Sequence, residues 1–361
     1  MNNITLSIII PIGITYENTF RITRLKKIIT LFSNFNKNIE LVIVNSSKEN
    51  KYTENIYSFC KKYSYVKYNY LDMPNIYSAS KARNKGVKNA SGEYILFFDV
   101  DLIITLNFIV KILKDIEKIK SITNKAFEIY PCLYLSESKT KKIEDVHLVN
   151  LLIDDIKQRY LEGYNDEVLY LAVNTSTILV QKKHFLNIGA YDENYKGHGY
   201  EDFELIHRLY MAYPIIERGL DYTEDHKTVF PAKYRGFRKY FAYYSLHNFF
   251  KGTYTLHLWH PRPLNKKYYK QRKENAKIFL EQLTKSIEEP LCKKYIDLSL
   301  PTEFTKYIVK LYKKYNIDEK IFLGLFSFNP LNVQTKNTFQ RKLRKLFFNP
   351  KLFFIDIKFK K

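Results

Sequence analysis

Two aspartates stand one residue apart at the end of an apolar run, Asp99 and Asp101 in "GEYILFFDVDLII", which begins at Gly92. A carboxylate on a buried strand is costly unless something pairs with it. On a strand, residues i and i+2 point to one side, where like charges repel. The chemistry that answers this is a divalent cation, Mg²⁺ or Mn²⁺, which takes oxygen ligands and also grips phosphate oxygens. The plainer reading is a strand that ends early, leaving two solvated loop aspartates. The spacing alone does not separate the two.

Other residues with chemical potential lie far along the chain. Glu201-Asp202 follows the glycine-punctuated stretch "GAYDENYKGHGY" and opens a helical pattern. Glycines let a backbone come close to a ligand, and a helix N-terminus favours carboxylates, so plain helix-start acids are the simpler account. His257 and His260 in "HLWHP" would face opposite sides of a strand, but at a bend both reach one ion. Two structural histidines beside Trp259 are the alternative. Histidine beside carboxylate would favour Mn²⁺ over Mg²⁺.

The elements that must position these groups alternate. "LSIIIPI" reads as a buried strand closed by Pro11, "FRITRLKKIITLF" as a helix, and "IELVIVNSS" as a second strand. "ENIYSFCKKY" reads as a helix, "VKYNYL" as a third strand, "SASKARNKGVKNASG" as a helix begun at a serine, and "EYILFFDVD" as a fourth strand. This alternation predicts an α/β fold with an open, mostly parallel sheet flanked by helices. Ligands in such sheets bind at the carboxyl ends of the strands, where Asn45, Asp99 and Asp101 fall. After about residue 105 the rhythm changes: "YLAVNTSTILV" and "YTLHLWHPRP" each read as one further strand. From about Asn265 the chain is lysine-rich, helical and aromatic.

The 361 residues carry a formal net charge of +22, with 59 Lys and Arg against 37 Asp and Glu. Such an excess suggests an anionic partner, or simply lysine as the favoured surface residue. Cys60, Cys132 and Cys292 show no paired spacing, which argues against a disulfide framework or a zinc knuckle and fits a reducing cytosol. The run "ITLSIIIPIG" is too short for a membrane span and lacks the basic start of a signal peptide. A cytoplasmic protein is the expectation.

The segment "SKARNKGVKNASGEYILFFDVD" resembles the donor-binding stretch of family 2 glycosyltransferases, in which Ala-Arg-Asn and a glycine lead through Gly-Glu-Tyr into Asp-x-Asp. "LSIIIP" and "ELVIVN" sit where that family places its first two strands. "GAYDENYKGHGYEDFEL" is similar to the acceptor and catalytic segment of its galactosyltransferase-like branch, and the bacterial capsule-biosynthesis group is the nearest match. The resemblance spans roughly residues 4–263. It implies a GT-A fold and an inverting, metal-dependent transfer of a hexose or N-acetylhexosamine from a UDP-sugar to a hydroxyl of a growing surface glycan. It places Pro11, Asn45, Arg83, Asp99 and Asp101 at the nucleotide-sugar. Asn45 stands where the family usually has a base-reading aspartate. It makes Asp202 the general base, lets Glu201 orient the acceptor, and puts His198 and Gly199 at the acceptor site, His198 where a stacking tryptophan is common. The metal, Mn²⁺ or Mg²⁺, falls to Asp101 and His260, with His257 and Asp99 as further candidates.

Three regions follow: residues 1–105 as the nucleotide-sugar half, 106–264 as the acceptor and catalytic half, and 265–361 as a basic helical extension. The tail "TFQRKLRKLFFNPKLFFIDIKFKK" sets Lys and Arg among Phe, Leu and Ile, and Asn349-Pro350 divides it into two helical pieces. That is the pattern of a helix lying on an anionic membrane surface, here the cytoplasmic face of the inner membrane and its lipid-linked glycan acceptors, or of a helix pair packed on the protein's own core. Nucleic acid is not expected, because no recognition module accompanies the charge. The competing functions are a nucleotidyltransferase, which lacks a glycine-rich phosphate loop here, and a basic scaffold or RNA-binding protein.

Overall fold

The computed structural model describes residues 4–34, 38–73, 75–144, 149–261, 267–285 and 303–329, with positions 343, 346, 347 and 350 besides. Nearly all of the basic tail lies outside the described residues.

A six-stranded sheet runs β3 (Val66–Tyr70), β2 (Ile39–Asn45), β1 (Leu6–Ile12), β4 (Tyr94–Phe97), β9 (Ile178–Gln181) and β6 (Phe127–Ile129), strands being numbered in chain order. The pairings of β1 with β2 and β4, and of β2 with β3, are parallel; β9 runs antiparallel to β4 and β6. A second sheet contains β5 (Leu102–Ile103), β12 (Thr255–His257), β7 (Cys132–Leu135) and β8 (Val168–Ala172), and a small ribbon joins β10 (Asp225–His226) to β11 (Arg235–Gly236).

The continuous apolar character of β1 and β4 follows from burial on both faces. Leu6, Ile8, Ile10, Tyr94 and Leu96 enter one core, with the helices Phe20–Leu31, Asn50–Cys60 and Leu106–Ile122 against it. Ile9, Ile95 and Phe97 alternate into a second core with the helices Ala79–Asn89, Glu201–Ala212 and Arg272–Lys285. A third core lies against the second sheet, where Phe304, Ile308 and Leu311 of the helix Glu303–Lys314 join Leu133, Leu171 and Leu256.

Two expectations change. The apolar stretch "YLAVNTSTILV" is two strands in different sheets, β8 and β9. Polar side chains at the break find partners outside any ladder: Thr175 Oγ1 donates to the Tyr130 carbonyl and Ser176 Oγ to Asp99. The strand "EYILFFDVD" stops at Phe97, so Asp99 and Asp101 sit on the turn between β4 and β5, where alternation no longer aims them together.

Gly86 allows the helix Ala79–Asn89 to lie close on the sheet. A Cβ there would stand 2.5 Å from Ile9 Cγ2 and 3.1 Å from Val44 Cγ2. Gly86→Val should therefore lower stability by about 1–3 kcal/mol, the usual cost of overpacking, read as an earlier chemical-denaturation midpoint.

Candidate functional site

The two aspartates of the turn face different partners. Asp99 accepts from Arg83 Nη2 at 3.1 Å and from Ser176 Oγ at 2.7 Å. Asp101 is buried; its Oδ1 accepts from Arg24 Nη1 at 2.6 Å, and Arg21 Nη2 lies 3.0 Å from Oδ2. Arg24 is itself fixed by Glu144 at 2.7 Å and by the Trp259 carbonyl at 3.1 Å. Burial alone would raise the Asp101 carboxyl, but Arg21, His260, His257 and Arg24 outweigh it and hold it down at about 2. The histidines arrive through the second sheet: His257 registers opposite Leu102, and the Leu258 N–H donates to the Asp101 carbonyl at 2.8 Å.

Arg83 joins the two halves of the cleft. Its side chain is 3% exposed, and its Nη1 donates to Asp202 Oδ1 at 2.7 Å and lies 3.5 Å from Glu201. Tyr191 Oη also donates to Asp202 Oδ1, at 3.1 Å. The neighbour Asn84 clasps the loop that carries the acids: its amide donates to the Tyr191 carbonyl at 2.9 Å, and its Oδ1 accepts from the Tyr191 N–H at 3.0 Å. Ser78 caps the helix and bridges to Gly197, whose N–H donates to the Tyr77 carbonyl. Gly197, Gly199 and Tyr200 all have positive φ, and this sharp path ends where the helix Glu201–Ala212 begins. Glu201 is buried, and its Oε2 has no hydrogen-bond partner among the described residues. Burial, then the charge of Asp202, push Glu201 above the usual carboxylate range against the pull of Arg83. Asp202 is raised as well, by burial and by Asp99, with Arg83 opposing.

A wall not foreseen from the sequence closes the cleft. The His198 N–H donates to the Tyr268 carbonyl at 3.0 Å, and His198 packs against the rings of Tyr268 and Tyr269. A Cβ on Gly199 would meet Arg272 Nη1 at 2.3 Å. The buried Asn275 donates to the carbonyls of Lys196 and Gly199. Lys267, Tyr268, Tyr269 and Arg272 thus line the cleft, within the stretch expected as a basic helical extension from 265. The cleft's volume is about 1950 Å³, lined among others by Pro11, Arg83, Asp99, Asp101, His198, Gly199, Glu201, Asp202, His257 and His260.

Asn45 is the exception among the candidates. It is fully buried and does not line the cleft: its Oδ1 accepts from the Ser47 N–H and Oγ, and its amide donates to Tyr68 Oη. It ties down the loop after β2, and its neighbour Ser46 lines the cleft instead. Arg21, Arg24, Tyr268, Tyr269, Arg272 and Asn275 were missed. The basic or aromatic character of those positions is common throughout this chain, so type alone did not mark them.

The donors at Asp101 suit a divalent ion in kind. His260 Nδ1 lies 3.1 Å from the Pro261 carbonyl, which can only accept, so this nitrogen is the donor. Nε2 stands 3.8 Å from Asp101 Oδ2, too far to hydrogen-bond. His257 lies next to His260, with ring centroids 5.4 Å apart. Asp99 is turned away from this set toward Arg83 and Ser176. Among the described residues no three potential ligands are gathered tightly enough to hold a metal as they stand.

A mostly parallel sheet with acids beyond its carboxyl edge, faced by a second acidic pair across a deep cleft, defines the GT-A type of α/β fold. The family model described as "Glycosyltransferase like family 2" matches residues 7–285, and the chain belongs to that family. Among solved structures, S. aureus TarS 1-349 is 21% identical over 58% of this chain and 56% of that one, with a TM-score of 0.38. The same protein in complex with UDP is 19% identical over 58% and 55%, with a TM-score of 0.37. This chain therefore matches little more than half of either structure's length. No curated protein matches the sequence. Among the described residues no helix is long and apolar enough to cross a membrane.

The raised Glu201 carboxyl sets a pH dependence of stability. Above the ordinary glutamate value of 4.5, the folded protein still holds a proton that the unfolded chain has released, so stability falls as pH rises through that window. Glu201→Gln removes this loss, and its melting temperature should exceed that of the wild type increasingly from pH 5 to pH 8. Equal shifts at all pH values would show that Glu201 is an ordinary carboxylate.

Proposed function

We propose that this chain is an inverting, divalent-metal-dependent transferase that moves a hexose or N-acetylhexosamine from a UDP-sugar to a hydroxyl of a bacterial surface glycan. The observation that carries the reading is the Arg83 bridge, which holds Asp202 and Asp99 on one guanidinium and so sets the acceptor-side acid against the donor-side turn. The cleft of about 1950 Å³ exceeds the roughly 300–1,000 Å³ of a single small-ligand pocket, leaving room for donor and acceptor together.

Asp202 is the general base. Both of its hydrogen bonds fall on Oδ1, which leaves Oδ2 to take the acceptor hydroxyl's proton as that oxygen attacks the anomeric carbon. Its raised affinity for a proton suits the task. Glu201, with a buried oxygen lacking a partner, orients a second acceptor hydroxyl. Attack by one nucleophile opposite the departing diphosphate inverts the anomeric centre. Asp101 and His260, with His257 nearby, would hold the metal, which when bound neutralises charge on the leaving diphosphate. Asp99 serves by fixing Arg83. In this reading residues 1–105 form the donor half, and 106–264 together with 267–285 the acceptor half. The basic tail rests on the cytoplasmic face of the inner membrane, near a lipid-linked acceptor. Family membership favours sugar transfer over nucleotidyl transfer or a non-catalytic scaffold.

The test is a screen of common nucleotide-sugars for donor hydrolysis and transfer. Asp202→Asn should lower kcat by about 10²–10⁴-fold while UDP binding persists. UDP with Mn²⁺ should raise the melting temperature of the wild type, and Asp101→Ala should abolish that shift. Failure of every UDP-sugar, with no shift from UDP, would overturn the reading.

A further inference from the structure

We propose that Arg21 guards Asp101 against a divalent cation until a nucleotide diphosphate draws the arginine away, so that cation and nucleotide bind cooperatively. This deepens the nucleotide-sugar reading and rests on it. The two arginines on Asp101 are not equivalent. Arg24 is buried, grips Oδ1, and is held on its other nitrogens by Glu144 and the Trp259 carbonyl. Arg21 is 24% exposed, lines the cleft, and covers Oδ2 with Nε at 3.2 Å and Nη2 at 3.0 Å. Oδ2 is also the oxygen that His260 Nε2 faces at 3.8 Å. Arg21 therefore occupies the carboxylate oxygen a cation would need.

With both guanidinium groups in place, Asp101 and Glu144 are already matched charge for charge, so an entering divalent ion meets no net negative charge. Arg24 leaves only by also giving up Glu144 and the Trp259 carbonyl. Arg21 can turn into the cleft, provided something there accepts its hydrogen bonds. A diphosphate suits this role, because a planar guanidinium binds two of its oxygens at once. Arg21 then contacts the same leaving group that the metal would neutralise. Release of Oδ2 and capture of the diphosphate become one event, and the coupling must act equally on both ligands.

Calorimetric titration of Mn²⁺ alone, UDP alone, and each in the presence of the other tests this without reference to turnover. For the wild type, saturating UDP should strengthen Mn²⁺ binding by about tenfold or more. Arg21→Gln should bind Mn²⁺ alone about fivefold or more tightly than the wild type, bind UDP more weakly, and lose most of the coupling. Arg21→Lys, which keeps the charge, should return Mn²⁺ affinity toward the wild-type value. A metal that merely bridges protein and nucleotide would also give coupling in the wild type, but not the gain in Mn²⁺ affinity without nucleotide. Mn²⁺ affinity unchanged in a folded Arg21→Gln protein overturns the proposal. If the wild type binds no UDP, the donor assignment fails instead, and the effect of Arg21→Gln on Mn²⁺ alone still decides whether the arginine guards Asp101.

Discussion

A buried guanidinium must be met by carboxylates, and in this protein the carboxylates that meet Arg83 come from two distant parts of the chain. Asp99 lies on the turn after β4; Glu201 and Asp202 open a helix about a hundred residues later. Neither group can be relaxed alone. Without Arg83 three acids would crowd one cleft, and without the acids a cation would lie buried and uncompensated. Arg83 thus helps to hold the cleft's two walls in register. Asn84 and Gly86 serve the same end, one clasping the acidic loop and the other letting the helix settle onto β1 and β2.

Around that bridge the charges divide. Asp101 is kept ionised by arginines and histidines, whereas Glu201 and Asp202 are pushed toward the protonated form by burial, Glu201 also by Asp202 and Asp202 also by Asp99. Carboxyl groups with opposite tendencies thus share one cleft. The aspartates at 99 and 101 are close in sequence but do different work because the strand ends before them. On a turn, a two-residue spacing no longer aims side chains alike.

Much of the first half was legible. The alternation of β-branched runs with helical patterns leads to the parallel pairing of β1, β2 and β3, and the serine start of the helix Ala79–Asn89 is its cap. The acidic pairs at the strand end and at the helix start were visible from residue type. Less was legible after residue 105. "YLAVNTSTILV" shows unbroken strand character, yet its polar centre is drawn off to Asp99 and to the Tyr130 carbonyl, and the halves enter different sheets. The wall formed by Tyr268, Tyr269, Arg272 and Asn275 gave no signal, since lysine, arginine and tyrosine are abundant throughout.

Sequence alone determined the fold class, the acids and the helix that carries Arg83, because these depend on local periodicity and on which residue types tolerate burial. The pairing of each charge was decided by tertiary structure. Asn45 was consumed by its own loop, Asp99 went to Arg83, and Asp101 was covered by Arg21 and Arg24. Electrostatic partnership acts through space over a few ångströms, and residues that close can lie a hundred positions apart along the chain.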